Sequence, residues 1–426
     1  MNLFFNHSND KINEHLFNAT RGPLPLLAVN WVARTLEKYS GSLLDMSADF
    51  VVEAAKRQTD LSDWGNKHYK APLEILFKSC QEEANLTFWG KFLFREKIIS
   101  ILKNNLCIQD ELKRAPQILR EKINKPLFII GLPRTGTTLL HNLIAQDINM
   151  RYIKGWESRR PSLHPKYLSR KEDPRISRGA KEIKRLFRYY PQAYHIHPMT
   201  NEGPEECHFL LAHSLVRDST FNVLFHLPQY QKWVQIQNHE NAYQHYYEIL
   251  QLLQHNSKKQ NWVLKSPDHM NHLNTLLKVF PDACIVIIHR DLNKVMPSCC
   301  NLIAFGRLIN SRHVDFNALG KETTHMLNTW LSNAQKDREG CNPSSFYDIH
   351  YHDLLMNPVQ SVQSIYNYFN FKYDIQVENR MLAWLKANHP RKQGASLYSL
   401  QQFGLKSSQI NKRFKNYMVQ YGILNG

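Results

Sequence analysis

A turn bounded by two glycines, Gly131-Leu-Pro-Arg-Thr-Gly136-Thr-Thr138, contains the residues whose types and spacing best suit chemistry. It follows a short apolar run at 126–132 and precedes apolar residues with helical spacing. Glycines let a backbone approach a ligand closely, and the N–H groups at the start of a helix point toward an anion. Arg134 adds a positive charge to the same turn. The turn therefore predicts a binding site for an anion such as phosphate.

The glycine spacing matches the phosphate-binding loop of nucleoside triphosphatases, but Thr137 occupies the position where those proteins have a lysine. Phosphoryl transfer needs that lysine on the transferred group. A second segment, His289-Arg290-Asp291-Leu292, is similar to the catalytic loop of protein kinases. Met296 occupies the position of the kinase asparagine, and the chain has no DFG and no GxGxxG. A small-molecule kinase and a nucleotide-binding protein without turnover stay as the alternative functions.

Three further segments come after the turn in a fixed order: WVLKSPDHMNHL at 262–273, IVIIHRDLNKVMPSCC at 285–300 and YHDLLMNP at 351–358. Together with the Pro-Arg-Thr-Gly-Thr-Thr turn, they resemble the sulfotransferases that use 3′-phosphoadenosine 5′-phosphosulfate (PAPS). The resemblance is to the bacterial sulfotransferase group, which is related to the tyrosylprotein sulfotransferases. It extends over most of the chain, because the N-terminal helices and the segment 398–417 are also similar to that group.

This resemblance implies a role for each matching residue. The turn would hold the 5′-phosphosulfate of PAPS through Pro133, Arg134, Thr135, Gly136, Thr137 and Thr138. Arg290 and Ser298 would bind the 3′-phosphate, and Tyr351 would contact the adenine. Gln393 interrupts the Arg-Lys-Gly nucleotide segment of the family, so the match at Arg391, Lys392 and Gly394 is weaker.

Sulfuryl transfer places negative charge on the transferred group and on the leaving oxygen, which positioned cations can stabilise. Arg134 and Lys265 are the predicted cations, and no metal is required. The resemblance to tyrosylprotein sulfotransferases suggests Glu157 as the general base that takes the proton of the acceptor hydroxyl. His197 is the alternative base, and the acidic cluster of Glu202, Glu205 and Glu206 also competes. The histidine pairs of the chain lack a spaced third metal ligand.

Short apolar runs at 126–132, 262–265, 283–288 and 346–351 read as buried strands, and each is followed by a helical stripe. Strands that alternate with helices indicate a three-layer α/β fold, with a parallel sheet between helices. This is also what the resemblance implies, a P-loop-like sulfotransferase fold. The loops at the carboxyl ends of parallel strands share one edge of the sheet, where ligands bind.

The chain divides into a helical N-terminal extension or cap at 1–120 and a sulfotransferase domain at 121–426. The first part opens with Leu26, Val29, Trp31 and Leu36 at helical spacing. The second part contains an irregular insertion at about 151–260 and ends in a helical tail. Aromatic residues in the insertion suggest an apolar acceptor, although packing in a core is the commoner role of such residues. A small-molecule, lipid or saccharide hydroxyl is the expected acceptor.

The net charge of +17 favours anionic partners, but the cations are spread along the chain without any nucleic-acid-binding motif. We therefore expect no nucleic acid partner. Seven cysteines without a CxxC pair indicate reduced thiols in a cytoplasmic protein. The N-terminus lacks the pattern of a signal peptide, and no apolar stretch reaches the length of a transmembrane segment. The sequence does not indicate the oligomeric state.

Overall fold

The computed structural model describes residues 20, 22–65, 69–217, 219–255, 257, 261–388 and 398–423. Within these residues, five strands form one parallel sheet in the order β2-β3-β1-β4-β5. The strands are β1 Leu127–Gly131, β2 Met150–Arg151, β3 Asn261–Lys265, β4 Cys284–His289 and β5 Phe346–His350. The four strands expected from the sequence are confirmed. The sequence does not predict β2, because two residues are too few to show a periodic pattern.

Helices make up most of the remaining described residues. In chain order they are α1 Leu24–Ser40, α2 Ala48–Thr59, α3 Lys70–Glu83, α4 Phe88–Arg114, α5 Thr137–Ile144, α6 Gly155–Arg159, α7 Pro174–Tyr189, α8 Ala193–Ile196, α9 His208–Leu211, α10 Ser219–Leu224, α11 Pro228–Gln235, α12 Glu240–Gln254, α13 Leu273–Val279, α14 Leu292–Asn310, α15 Phe316–Glu339, α16 Tyr351–Met356, α17 Pro358–Tyr368, α18 Ile375–Ala387, α19 Ser407–Arg413 and α20 Lys415–Gln420. No helix in the described part of the chain is long and apolar enough to cross a bilayer.

The central strands β1 and β4 are buried at every position, as expected for parallel strands with helices on both faces, whereas the edge strand β5 is partly exposed. Phe128 and Ile130 of β1 face a core formed with α12, α13, α14 and α15. Leu127 and Ile129 face the opposite core, where α5, α17 and α18 contribute their apolar sides. Successive side chains of a strand point to opposite faces, so one five-residue strand supplies both cores. This arrangement confirms the three-layer α/β fold.

A third core joins the N-terminal helices to the insertion. Residues of α2, α3 and α4 pack against apolar side chains from 212–234. The ring of Phe94 in α4 meets the ring of Phe225 edge-on, with 5.1 Å between centroids. Asn105 of the same helix donates a hydrogen bond to the carbonyl oxygen of His213 at 2.8 Å. The N-terminal helices therefore share a core with residues 212–234, whereas the division of the chain at residue 120 stays a prediction.

The strand register brings the carboxyl ends of β1, β3, β4 and β5 to one edge of the sheet. Gly131 at the end of β1 pairs with Ile288, and His289 at the end of β4 pairs with His350. Lys265 is the last residue of β3, on the other side of β1. The segments that come after these strands are the ones singled out in the sequence, and they leave the sheet at a common edge.

Candidate active site

The glycine-bounded turn has a backbone that only small residues tolerate at two positions. Gly131 has a φ angle of 147° and Gly136 one of 93°. A Cβ atom at Gly131 would lie 2.8 Å from the carbonyl oxygen of Ile288, and one at Gly136 would lie 2.8 Å from the ring of Tyr351. The turn thus lies against β4 and Tyr351 before α5 begins, and its N–H groups remain close to the helix start.

Arg134 occupies a left-handed backbone conformation, with φ 71°, which is uncommon for a residue with a side chain. Its Nε donates a hydrogen bond to Ser298 Oγ at 2.9 Å, and its Nη1 donates to the carbonyl oxygen of Ile196 at 3.0 Å. Ser298 Oγ is also 3.1 Å from the hydroxyl of Tyr398. These bonds fix the guanidinium between the turn, α14 and α8. Unfavourable backbone geometry of this kind concentrates at functional sites.

Arg290 and Tyr351 form the neighbouring part of the site. Nη1 of Arg290 donates to the carbonyl oxygen of Arg134 at 2.5 Å. The Arg290 guanidinium lies over the Tyr351 ring, 3.9 Å from its centroid. A guanidinium stacked on an aromatic ring keeps its edge free to bind phosphate oxygens. The structure therefore brings together Arg134, Arg290, Ser298 and Tyr351, which lie far apart in the sequence.

Lys265 supplies the third cation. It is only 2% exposed. Its ammonium forms an ion pair with Glu206 and lies 3.4 Å from Thr138 Oγ1. Burial raises the pKa of Glu206, but the charge of Lys265, the hydrogen bond and charge of His208 and the charge of His197 together outweigh burial, so this pKa lies well below its usual value. Glu206 also accepts a hydrogen bond from His208 Nδ1 at 3.2 Å, so both of its oxygens have partners.

A histidine–carboxylate pair lies beside these groups. Nε2 of His197 is 3.3 Å from Glu205 Oε1, and Glu205 is almost completely buried. Burial lowers the pKa of His197, but the hydrogen bond to Glu205 and the charges of Glu205 and Glu206 outweigh it, so the pKa is raised. His197 directly follows Ile196, whose carbonyl holds Arg134. The imidazole is thus oriented by a carboxylate next to a predicted catalytic cation.

Glu157, the predicted base, belongs to a different cluster. Its Oε1 accepts from Arg151 Nη2 at 2.5 Å, and its Oε2 accepts from the backbone N–H of Lys154 at 2.9 Å. The second bond caps the first turn of α6. Glu157 is 5% exposed, and no bond between the described residues joins it to the turn or to Lys265. These contacts explain Glu157 as part of a buried ion pair, and its role as a base stays a prediction.

The other residues predicted to bind the nucleotide differ in their hydrogen bonds and in their exposure. Thr135 Oγ1 donates to the carbonyl oxygen of Leu132 at 2.8 Å, so its hydroxyl stabilises the turn from inside. Thr137 is buried at the start of α5, Pro133 is half-buried, and Thr138 is exposed. Arg391, Lys392 and Gly394 lie outside the described residues.

Some partners at this site could not be chosen from the sequence. Glu206 was one of three acidic competitors, and nothing in the spacing pairs it with Lys265, 59 residues away. No local sequence pattern predicts that the carbonyl of Ile196 would bond to Arg134 or that the hydroxyl of Tyr398 would lie beside Ser298. In the described part of the chain, no group of three or more His, Cys, Asp or Glu residues is arranged to hold a metal ion. Asp291 of the kinase-like segment caps α14 by accepting from the N–H of Asn293 at 2.9 Å.

Comparison with solved structures shows the same fold in two mycobacterial proteins. Sulfotransferase STF1 from Mycobacterium tuberculosis H37Rv is 27% identical and superposes with a TM-score of 0.77, covering 87% of this chain and 98% of that one. Sulfotransferase STF9 from Mycobacterium avium is 24% identical, with a TM-score of 0.80 over 89% of this chain and 97% of that one.

Comparison of sequences also points to sulfotransferases. The omega-hydroxy-beta-dihydromenaquinone-9 sulfotransferase Stf3 of Mycobacterium bovis is 23% identical over 341 residues, which are 74% of this chain and 83% of the relative. A sequence model described as "Sulfotransferase family" matches residues 126–374. That match spans more than half of the chain and includes the turn, Lys265, Arg290, Ser298 and Tyr351. This chain therefore belongs to the sulfotransferase family of enzymes.

Proposed function

We propose that this sulfotransferase takes its sulfuryl group from PAPS and transfers it to a hydroxyl of an apolar, lipid-like acceptor. The observation that carries the proposal is the meeting of three cations, Arg134, Lys265 and Arg290, around one glycine-bounded turn. PAPS has an anionic group at each end, a 5′-phosphosulfate and a 3′-phosphate. A site for it needs two separate groups of donors, and this sheet edge offers both.

The residues present fit these two ends. The turn has glycines at 131 and 136, where an added Cβ would lie 2.8 Å from the Ile288 carbonyl oxygen or the Tyr351 ring. It also precedes a helix start, so its backbone N–H groups suit the 5′-phosphosulfate. Arg290 and Ser298 suit the 3′-phosphate, because a guanidinium can bind two phosphate oxygens at once. Arg134 bonds to Ser298 and so connects the two ends of the site.

The reaction forms a bond between the acceptor oxygen and sulfur and breaks the bond between sulfur and the 5′-phosphate oxygen, which leaves as part of 3′,5′-ADP. Lys265 and Arg134 stabilise the negative charge that grows on the transferred group and the leaving oxygen. In a site closed to water, removing one such positioned donor typically lowers the rate by about 10²–10³. The ion pair with Glu206 holds the Lys265 ammonium near Thr138, at the start of α5.

We assign the general base to His197 rather than to Glu157. Glu157 has both oxygens bonded to Arg151 and Lys154, whereas His197 has one ring nitrogen on Glu205 and keeps the other for a substrate. Glu205 then acts as a positioning residue that orients the imidazole, an arrangement common to enzymes that activate hydroxyls. The proton of the acceptor hydroxyl passes to the second ring nitrogen of His197.

The proposed class of acceptor is based on a sulfotransferase that is similar to this chain. Stf3 is named for sulfation of a hydroxylated dihydromenaquinone, which is a lipid quinone. Because this chain resembles Stf3 over 83% of the length of that relative, a hydroxylated apolar molecule is the acceptor we propose.

Ligand stabilisation tests the donor site directly. We expect 3′,5′-ADP to raise the melting temperature of the protein more than ADP does, because only 3′,5′-ADP reaches Arg290 and Ser298. Ser298→Ala should reduce this preference without unfolding the protein. A larger stabilisation by ATP with Mg²⁺ would instead support a phosphotransferase, and no stabilisation by any of the three nucleotides would contradict the site.

Turnover tests the chemistry. With labelled PAPS and a lipid extract, Arg134→Ala and Lys265→Ala should each lose sulfated product, and the exposed Lys386→Ala should not. Lys265→Ala leaves the buried Glu206 carboxylate with His208 but without its lysine, and breaking a buried ion pair typically costs about 3–5 kcal/mol of folding free energy. The double variant Lys265→Met with Glu206→Gln removes both charges, so it should recover stability but not activity. Full activity in either single variant would refute the catalytic assignment.

A further inference from the structure

The first described helix, α1, presents polar side chains to the rest of the protein and several apolar side chains to solvent. Its inner side bonds to α4: Asn30 Oδ1 accepts from the N–H of Trp89 at 2.9 Å, and Glu37 pairs with Lys91 at 2.9 Å. Ala33 is the buried residue of the helix. Its outer side exposes a run of apolar side chains, with Trp31 70% and Tyr39 81% exposed. We name as the α1 outer face Leu24, Val29, Trp31, Val32, Leu36 and Tyr39, all exposed.

Exposed positive charge lies on α1 itself and on α7. Arg34 and Lys38 are exposed on α1 itself. The basic residues exposed on α7 are Arg178, Lys181, Lys184, Arg185 and Arg188. Two acidic residues of that region form ion pairs, Asp173 with Arg175 and Glu182 with Arg160, while Glu172 is exposed. An apolar helix face with a tryptophan, bordered by lysine and arginine, is typical of helices that lie in a membrane interface.

One chain segment, 190–196, links the start of α1 to the candidate active site. A Cβ atom on Gly22, just before α1, would lie 3.3 Å from the hydroxyl of Tyr190, the residue that ends α7. Six residues after Tyr190, the carbonyl of Ile196 accepts the hydrogen bond from Arg134. The segment 190–196 therefore contacts the start of α1 at one end and the guanidinium of the turn at the other.

We propose that the α1 outer face docks on the surface of a bilayer that contains anionic lipid, with the α7 cations on the headgroups. This inference rests on the proposed lipid-like acceptor, because docking there would bring a membrane-dissolved hydroxyl close to Arg134 and His197. Charge complementarity selects this occupant. A second copy of the chain would bring the same cations against each other, whereas an anionic bilayer attracts them.

Vesicle flotation of the full-length chain without nucleotide tests the docking. We expect the protein to float with vesicles of phosphatidylcholine and phosphatidylglycerol, less with phosphatidylcholine alone, and less as salt increases. Trp31→Ser with Leu36→Ser should lower the binding by about tenfold or more, because it removes two large apolar groups from the interface. Lys181→Glu with Lys184→Glu should weaken binding and remove most of its salt dependence.

Matched variants elsewhere on the surface provide the controls. Ile236→Ser changes an apolar residue that is 81% exposed on another part of the protein, and Lys386→Glu reverses an exposed charge on α18. Neither should change flotation. Equal flotation of all variants would overturn the proposal, as would a dimer that Trp31→Ser dissociates. Flotation that appears only after residues 1–19 are removed would also overturn it, because the chain itself would then cover the face.

Flotation and stabilisation by 3′,5′-ADP test the docking surface and the proposed donor site separately. Stabilisation by 3′,5′-ADP should be the same in Trp31→Ser with Leu36→Ser as in the unmodified chain, because the substitutions lie outside the nucleotide site. Flotation without stabilisation by 3′,5′-ADP would refute the proposed donor and leave the docking surface intact. Stabilisation without flotation would refute only the docking surface.

Discussion

Each predicted cation at this site is held by a partner that the fold supplies from another element. Ser298 and the carbonyl of Ile196 hold Arg134, Glu206 holds Lys265, and the carbonyl of Arg134 holds Arg290. Groups fixed before a reaction need no reorganisation when charge develops, which is the main source of electrostatic catalysis. At the scale of residues, these contacts support the proposed role of the three cations in stabilising an anionic transition state.

The pH dependence of kcat/KM identifies the base. A general base must be neutral, so activity is lost as pH falls through its pKa, and the raised pKa of His197 places the acid limb above the ordinary histidine value of about 6.5. Glu205→Gln removes the hydrogen bond and the charge that raise this pKa while burial remains. We therefore expect the acid limb to move to lower pH in Glu205→Gln.

Glu157→Gln is the matched control, because it removes a buried carboxylate of the same size from the other cluster. Its acid limb should coincide with that of the unmodified enzyme. His197→Gln should lower kcat by about 10²–10⁴. If Glu157→Gln lowered kcat to this extent and His197→Gln did not, Glu157 would be the base.

At the scale of elements, the sequence predicted the features that depend on local pattern. The apolar runs located β1, β3, β4 and β5 to within a residue or two at each end, because buried parallel strands are apolar throughout. The turn was predictable because its glycines, cation and helix start lie within eight residues. Contacts such as Lys265 with Glu206 join segments that are far apart, so they depend on the packing of whole elements and have no local signal.

The turn and the start of α16 are coupled through Gly136. A methyl group there would lie 2.8 Å from the Tyr351 ring, and the φ angle of 93° is unfavourable for alanine. Gly136→Ala should therefore push Tyr351 away and move Arg290, which is stacked on it. We expect a loss of about 1–3 kcal/mol of stability and a smaller melting-temperature increase from 3′,5′-ADP.

Two further variants separate the clash from the backbone strain. Gly340→Ala has no atom closer than 3.9 Å to the new methyl group and a negative φ angle, so both readouts should stay unchanged. Gly136→Ala with Tyr351→Ala removes the ring that clashes and should recover part of the lost stability. Failure of the double variant to recover any stability would mean that backbone strain alone causes the loss.

At the scale of the whole molecule, the sequence left open how the N-terminal helices relate to the rest. Their periodicity predicted helices, and α1 to α4 confirm it. Periodicity does not tell which helix face meets which partner. As a result, the core shared by α2–α4 and 212–234 was not foreseen, and neither was the outward direction of Trp31 and Leu36.

This shared core makes a prediction about a fragment of residues 121–426. Removing the first 120 residues would uncover five buried side chains: Phe221, Phe225, Leu227, Tyr230 and Val234. At about 1.5–3 kcal/mol for each buried apolar side chain, the loss would be about 10 kcal/mol. That is comparable to the entire stability of a typical domain. We therefore expect the fragment to be insoluble or largely unfolded when it is produced alone, as judged by solubility and near-ultraviolet circular dichroism.

The contact between Phe94 and Phe225 provides the matching test in the intact chain. Phe94→Ala and Phe225→Ala should each cost about 3–5 kcal/mol, and the double variant should lose less than the sum because the two rings pack on each other. Unfolding should remain a single transition in all three variants, since both rings belong to one core. A soluble fragment 121–426 that unfolds at the temperature of the full chain would show instead that the catalytic domain is stable without the N-terminal helices. In that case, α2–α4 would be an accessory cap that the active site does not need for its structure.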